Sequence, residues 1–309
     1  MTYVFGPVPS RRLGMSLGVD LIPPKTCTYD CLYCQVGRTT KMIAEPQPLV
    51  PVDQVISEIK GKLSRTSPDT ITLAGSGEPT LNSDIGRVIS GIKGLTRTRV
   101  AVLTNGSLFS KEDVRRRVLD ADIILPTLTS VYEETFKIIH RPHPGLFVAD
   151  IIDGIIRLRN EFKGQLFLEV VFLAGINHSE REIEGLKAAI GLIAPDRVQL
   201  NTVVRPPADE RAISLDNKIL EEIMVFFGGN TEIIAGSARK AGTGENDLLI
   251  DNLLEMIKRR PLKTADIATA LGLQLEDVED LIKGLLIKGR IRKQQHSGDV
   301  YYLSNKNIH

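Results

Sequence analysis

Apolar β-branched runs alternate with amphipathic stretches along most of this chain. From Ser16 to about Ile234 the runs SLGVDLI (16–22), TITLAG (70–75), RVAVLTN (99–105), DIILPTL (122–128), LFLEVVFLAG (166–175), RVQLNTVV (197–204) and TEIIAG (231–236) read as strands. Between them VDQVISEIKGKL (52–63), DIGRVISGIKGL (84–95) and REIEGLKAAIGLI (181–193) carry helical periodicity. Ser110, ahead of KEDVRRRVL, reads as a helix N-cap with acidic residues following. Strand and helix alternate six or seven times, which predicts a parallel α/β architecture. Right-handed crossovers then bring every strand's C-terminal end to one side. In a closed or partly closed barrel that side carries the active site.

The pattern changes near Gly236. GSARKAGTGEND is Gly-rich and polar, so 237–246 reads as a linker. Beyond it DLLIDNLLEMIKR, TADIATALG and LEDVEDLIKGLLIKG read as three helices, and RIRKQQHSGDVYYL as two strands around a Ser297–Gly298 turn. Helix, helix, helix and hairpin over 247–309 match a winged helix-turn-helix, leaving 1–236 as the larger unit. No internal repeat or low-complexity tract interrupts either.

Composition adds little beyond exclusion. Of 309 residues, 42% are hydrophobic and 25% charged, and Lys+Arg 39 against Asp+Glu 38 leaves a net charge of +1. Global charge therefore announces neither a nucleic-acid nor a membrane partner, so recognition of either falls to local patches. No apolar run approaches the roughly 20 residues of a membrane span. The N-terminal MTYVFGPVPSRRLG lacks a charged-then-apolar signal pattern. These features, with three clustered cysteines and no even disulfide framework, predict a cytoplasmic protein.

The chemistry concentrates in CTYDCLYC. Cys27, Cys31 and Cys34 are the only cysteines, spaced C-x3-C-x2-C with Tyr33 before the last. Residues four apart span at most roughly 14 Å, so three thiolates on this loop can converge on one soft metal centre. Pro23 and Pro24 stop the preceding strand, which puts the cysteines at its C-terminal end. A [4Fe-4S] cluster normally takes four thiolates, so three would leave one iron for a ligand that is not protein. Structural zinc is the plainer alternative, but it wants four ligands, and the nearest histidine in sequence is His140.

With its spacing and its aromatic Tyr33, this loop resembles the radical S-adenosylmethionine (SAM) superfamily. The resemblance implies that Cys27, Cys31 and Cys34 hold a [4Fe-4S] cluster whose open iron is chelated by SAM. It also implies one-electron cleavage of SAM to a 5′-deoxyadenosyl radical that abstracts hydrogen from substrate. Gly75-Ser76-Gly77-Glu78-Pro79 resembles the family's Gly-Gly-Glu-Pro segment, with Ser76 in place of the first of the two adjacent glycines. Glycines there admit a ligand close to backbone, and Glu78 is placed to accept from an ammonium group. Thr104-Asn105-Gly106 and Leu125-Pro126-Thr127-Leu128-Thr129-Ser130 end the next two strands, the second bringing hydroxyls toward a ribose. Glu169 interrupts an apolar strand, where a carboxylate is expensive unless partnered, so it is expected in a barrel lumen with Asn201. The implied SAM shell is Gly77, Glu78, Asn105, Thr127, Ser130, Glu169 and Asn201, and Gly175-Ile176-Asn177 is placed to cover the adenine.

The N-terminal block YVFGPVPSRRLGMSLGVDLIPPKTCTYDCLYCQVG, with HRPHPG (140–145) and NTVVRPPAD (201–209), resembles a branch grouped with wyosine-base synthases that modify tRNA. Arg11, Arg12, Arg141 and Arg205 are candidates for gripping an anionic substrate. In the C-terminal unit the third helix opens with Glu276, Asp277, Glu279 and Asp280, which opposes phosphate contact and argues against sequence-specific DNA binding. The expectation is an α/β protein, a partial (β/α)6 TIM-like barrel with a small C-terminal winged helix used for docking. It would act as a radical SAM enzyme on a tRNA base, a peptide or a small molecule. With no cysteines left for a second cluster, a flavodoxin or ferredoxin would supply the electron. The rival reading is an iron–sulfur redox sensor that regulates through the winged helix.

Overall fold

The computed structural model describes residues 2–235 and 246–305. The chain opens with an antiparallel hairpin of β1 (Val4–Ser10) and β2 (Gly14–Val19). Two short strands, β3 (Thr26–Cys27) and β4 (Lys41–Met42), pair in parallel and close the base of the cysteine loop. Next come α1 (Val52–Leu63), β5 (Thr70–Leu73), α2 (Ile85–Leu95), β6 (Arg99–Thr104), α3 (Glu112–Val118) and β7 (Ile123–Pro126). α4 (Glu133–His140), α5 (Val148–Glu161), β8 (Gln165–Phe172), α6 (Glu180–Ile193), β9 (Arg197–Thr202), α7 (Asn217–Phe227) and β10 (Thr231–Ile233) follow.

The main sheet has eight strands in the order β1-β2-β5-β6-β7-β8-β9-β10. Every pairing from β2 onward is parallel. The order never reverses, so the sheet has no switch point of the doubly wound kind. β5 and β7 are buried along their whole length, as parallel strands covered on both faces must be. Amphipathic helices cover the outside, with Val55 and Ile59 of α1 and Val88, Ile89 and Ile92 of α2 in the main core. The sheet also curls. Arg11, in the β1–β2 turn, donates to the Ile234 carbonyl beyond β10 at 3.0 Å, so the two ends of the strand series approach one another.

Several boundaries differ from expectation in one direction. The apolar runs continue past the strands' ends at Asp20–Ile22, Ala74–Gly75, Leu173–Gly175 and Val203–Val204, and of these tails Ala74–Gly75 and Val203–Val204 line the cavity. The α3 N-cap is Lys111 rather than Ser110. The Ser110 carbonyl is taken by the Arg115 guanidinium, and the Lys111 carbonyl starts the helix by accepting from the Arg115 N–H.

Residues 246–305 form α8 (Asn246–Arg259), α9 (Thr264–Leu271), α10 (Leu275–Ile287), β11 (Ile291–His296) and β12 (Asp299–Ser304). The expected linker lies outside the described residues except for Asn246, which opens α8. Ser297 and Gly298 have φ of 50° and 83°, the two positive values that a two-residue I′ hairpin needs. Leu253, Ile257, Ile267, Val278 and Ile282 build a second core, which Val8 of β1 joins. α8 and α9 pack on β1, so what would be an open sheet edge is covered. Arg259 stacks 4.5 Å over Phe5 and reaches Asp20 at 3.6 Å, and Tyr301 donates to the Val204 carbonyl. Among the described residues no helix is long and apolar enough to cross a membrane.

Candidate active site at the cysteine loop

The cysteine loop is held like an extra strand against the end of α4. The Asp30 and Leu32 N–H groups donate to the His140 and Ile139 carbonyls, each at 2.9 Å, and the His143 N–H donates to the Thr28 carbonyl at 2.8 Å. Side chains reinforce this seam. Arg141 pairs with Asp30 at 3.1 Å and Asp209 at 3.0 Å, and Arg38 reaches the same two carboxylates. Hydrogen bonds from Arg211, then Arg141, hold the Asp209 carboxyl well below the usual carboxylate range. The expected anion-binding role of Arg141 is therefore corrected. Its position at the α4 C-cap aims its fork at Asp30 of the loop and at Asp209 beyond β9.

His140, to which no sequence motif assigns a role, sits between the cysteine loop and Thr129. Its Nδ1 lies 3.1 Å from the Cys31 Sγ and its Nε2 lies 2.6 Å from the Thr129 Oγ. Burial pushes the imidazole down to about 3, so the ring is neutral at ordinary pH. Both contacts are satisfied when Nδ1 carries the proton toward sulfur and the Thr129 hydroxyl donates to Nε2. Tyr29, Phe136 and Tyr33 enclose the ring at centroid distances of 4.8, 5.1 and 5.8 Å. HRPHPG was the signal that marked this position, without indicating its partner.

The strand-end loops converge on the same place. Buried Glu78 accepts at Oε1 from the Thr80 N–H (3.0 Å), the Thr80 hydroxyl (2.6 Å) and the Thr104 hydroxyl (2.5 Å). Its Oε2 accepts from the Asn105 N–H at 2.7 Å. Burial raises the Glu78 pKa, and these donors oppose the shift without cancelling it. Asn105 in turn donates through Nδ2 to the Thr28 hydroxyl at 2.7 Å and sits 3.7 Å from the Cys27 Sγ. One carboxylate and one amide thus tie the ends of β5 and β6 to the cysteine loop. The glycines serve this packing rather than ligand approach alone. A Cβ at Gly77 would fall 1.7 Å from the Thr26 carbonyl oxygen, and one at Gly75 2.3 Å from the Asp20 carboxyl carbon.

Below lies a polar floor. Glu169, midway along β8, is ion-paired with Arg12. It also accepts from Asn201 Nδ2 at 2.9 Å and from the Thr127 hydroxyl at 3.2 Å. Burial pushes its carboxyl up, but Arg12, Asn201 and Arg11 together bring it below the ordinary value. Arg12 therefore balances a carboxylate of the chain itself, a second correction to the anion-binding set.

These groups surround one cavity of about 300 Å³. Cys27, Cys31, Cys34, Gly77, Glu78, Asn105, Thr127, Glu169 and Asn201 all line it, with Tyr33 and apolar walls from Leu103, Leu125 and Val171. Ser130 does not. Its hydroxyl is buried and donates to Glu182 at 2.7 Å, where it holds the start of the α4 turn.

The donor set can be tested for the group it suits. Burial, then the Glu78 charge, pushes the Cys27 thiol up to about 12; burial also raises Cys31, next to Cys27 and Cys34, and Cys34 itself. Three such neighbours ionise together only around strong positive charge. Among the described residues no three His, Cys, Asp or Glu side chains converge on a single-ion site. A zinc ion would draw its thiolates to about 2.3 Å from one centre. A [4Fe-4S] cluster spreads its thiolates over separate irons, which suits three sulfurs placed around a cavity.

Comparison with known proteins agrees with this geometry. The sequence model of the radical SAM superfamily matches residues 21–185. The chain is 36% identical over 306 residues to a Brachyspira hyodysenteriae protein named GTPase Obg, covering 98% of this chain but only 45% of that one. It is 31% identical to UPF0026 protein MJ1312 of Methanocaldococcus jannaschii, over 99% of this chain and 97% of the other. A solved radical SAM methyltransferase from Sphaerobacter thermophilus shares the fold with a TM-score of 0.55 at 16% identity, over 71% of this chain and 66% of that one. The family model, which matches more than half of the chain, shows that this chain belongs to the radical SAM superfamily.

Proposed function

We propose that Cys27, Cys31 and Cys34 hold a [4Fe-4S] cluster and that SAM occupies the cavity beside it. One observation carries this reading: the chain's only cysteines line a single cavity with Glu78, Asn105, Thr127 and Asn201 from successive strand ends. When bound, the cluster supplies the electron that cleaves SAM reductively, and the resulting radical takes hydrogen from substrate.

The chain's own residues orient and enclose. Among the described residues Glu78 Oε2 accepts only the Asn105 N–H, so it keeps acceptor capacity toward an ammonium group in the cavity. Asn105 and Thr127 face the same space, while Leu103, Leu125 and Val171 exclude water. We read the curled sheet as a partial barrel, and the C-terminal helices and hairpin as a winged helix that docks substrate or partner. As a DNA reader α10 would present exposed Glu276, Asp277, Glu279 and Asp280, which disfavours the sensor reading. A tRNA base is the substrate that the resemblance favours, with a flavodoxin- or ferredoxin-type protein as reductant.

Anaerobic reconstitution with iron and sulfide, followed by dithionite and SAM, is expected to give 5′-deoxyadenosine. The triple Cys27→Ala, Cys31→Ala, Cys34→Ala variant is expected to give none. A parent with a verified intact cluster that makes no more than this variant overturns the reading. His140→Ala removes the ring that orients Cys31, and iron affinity is expected to fall about 10- to 100-fold. Iron per chain at limiting iron reads this out, and parent-like loading would remove His140 from the site.

A further inference from the structure

We propose that the cleft between the cysteine loop and the C-terminal unit binds the phosphate groups of the substrate, received by Lys25, Arg260 and Arg292. This rests on the radical SAM reading of the neighbouring cavity and names the substrate class that reading leaves open. The cleft has a volume of about 290 Å³ and shares Cys34, Gln35 and Val36 with the cysteine-lined cavity. A ligand held in it lies against the backbone segment that carries Cys34, one of the proposed cluster ligands.

Every charged side chain lining the cleft is a cation: Lys25, Lys258, Arg259, Arg260 and Arg292. Two of these are balanced internally. Lys258 and Arg259 pair with Glu255 at 2.6 and 3.1 Å, and Arg259 also faces Asp20. The other three have no carboxylate partner among the described residues. Arg292 meets only Gln294 Oε1 at 3.5 Å. The excess continues toward the cysteine-lined cavity, where Arg205 has a buried Nε without a hydrogen-bond partner and a carboxylate, Asp266, only at 3.7 Å. Burial, then Arg205, pushes Arg260 down to about 9, and the same two causes push Arg11 to about 10. Among the described residues Asp266 is the one carboxylate within ion-pair distance of Arg205, and Arg11 and Arg260 have none that close.

Half-buried guanidiniums gathered without counter-charge are unfavourable until an anion arrives. Phosphate is the matching anion, because its oxygens take paired N–H donors from a guanidinium fork. Lys25 comes from the cysteine loop, Arg260 from the α8–α9 turn and Arg292 from β11, so three separate elements face one ligand. The docking of the C-terminal unit on β1 then has a chemical purpose, since it completes the cleft.

Two probes carrying the same chemistry test this: a fluorescein-labelled 20-nucleotide single-stranded RNA, and inorganic tripolyphosphate as competitor, both with the full chain at low salt. The parent is expected to bind at least one of them. Arg260→Glu and Arg292→Glu are each expected to weaken binding at least about tenfold, which corresponds to 1.4 kcal/mol. Each is also expected to lower the salt slope by about one phosphate contact. Arg292 is exposed, so its variant separates ligand contact from folding. Arg116→Glu, at an exposed position of α3, changes charge equally and is expected to leave affinity unchanged. Tight RNA binding that tripolyphosphate displaces only weakly identifies a nucleic-acid strand, and the converse identifies a small phosphorylated substrate. No binding of either probe by the parent, or parent-like affinity in both Arg260→Glu and Arg292→Glu, overturns the proposal. Because the readout is binding, either failure leaves the 5′-deoxyadenosine test of the radical reading untouched.

Discussion

Alanine in place of Gly77 is expected to destabilise the protein by at least about 3 kcal/mol and to keep the cysteine loop from seating. The added Cβ would lie 1.7 Å from the Thr26 carbonyl oxygen, 2.9 Å from its carbon and 2.7 Å from Ile22 Cγ2. Two of the three are backbone atoms, so no rotamer change relieves the contact. Nor is that backbone free to move. Thr26 pairs with Lys41 in the β3–β4 ladder, the Lys25 N–H donates to the Ser76 carbonyl at 3.0 Å, and Cys27 follows directly. Displacing Thr26 therefore displaces a proposed cluster ligand.

Gly94→Ala is the contrasting case. Gly94 lies inside α2 with nothing within 4 Å of an added Cβ, so alanine there is expected to stabilise by about 0.5–1 kcal/mol. Thermal midpoints and iron bound per chain distinguish the two. A Gly77→Ala protein that melts and loads iron like the parent would mean that Gly77 is not a packing contact.

The same residue shows what a sequence makes legible. Gly-Glu-Pro after an apolar run marked a strand-end loop, and the structure places that loop at the cavity. The alternating pattern gave the parallel strands because strands buried on both faces must be nearly all apolar. β1 escaped because Pro7 and Pro9 argue against a strand, yet an edge strand tolerates proline where no ladder donor is needed. Which arginine faces a carboxylate is invisible along the chain. Arg141 finds Asp209 68 residues on, and Arg12 finds Glu169 157 residues on. Ser130 and Thr127 look alike in sequence, and only the turn into α4 decides that one points at Glu182 and the other at the cavity. Sequence patterns report periodicity and local chemistry, whereas charge pairing between distant strands of the sheet is set by tertiary packing.

That pairing carries the other large expected effect. Arg12→Ala leaves Glu169 buried without its counter-charge and is expected to cost about 3–5 kcal/mol. Both side chains are nearly enclosed, at 11% and 13% exposure, so solvent screens the pair little. In the parent the Glu169 carboxyl is depressed in the folded state. Its contribution is therefore present above the unfolded carboxylate pKa, about 4.3, and is lost as pH falls through the lower folded value. Without Arg12, burial is the dominant influence and the sign reverses. The variant's folded carboxyl lies above the unfolded value, so its deficit shrinks as the solution is acidified from pH 7 toward 4. Thermal midpoints of parent and Arg12→Ala across that range are expected to converge. Glu169→Gln alone fails in the opposite sense, because Arg12 then adds a third unbalanced guanidinium beside Arg11 and Arg205. The double variant Arg12→Met, Glu169→Leu removes both charges and is expected to recover most of the loss. Single losses that simply add in the double variant would show that the two side chains act separately. In that case the floor of the cavity would not be held by their ion pair.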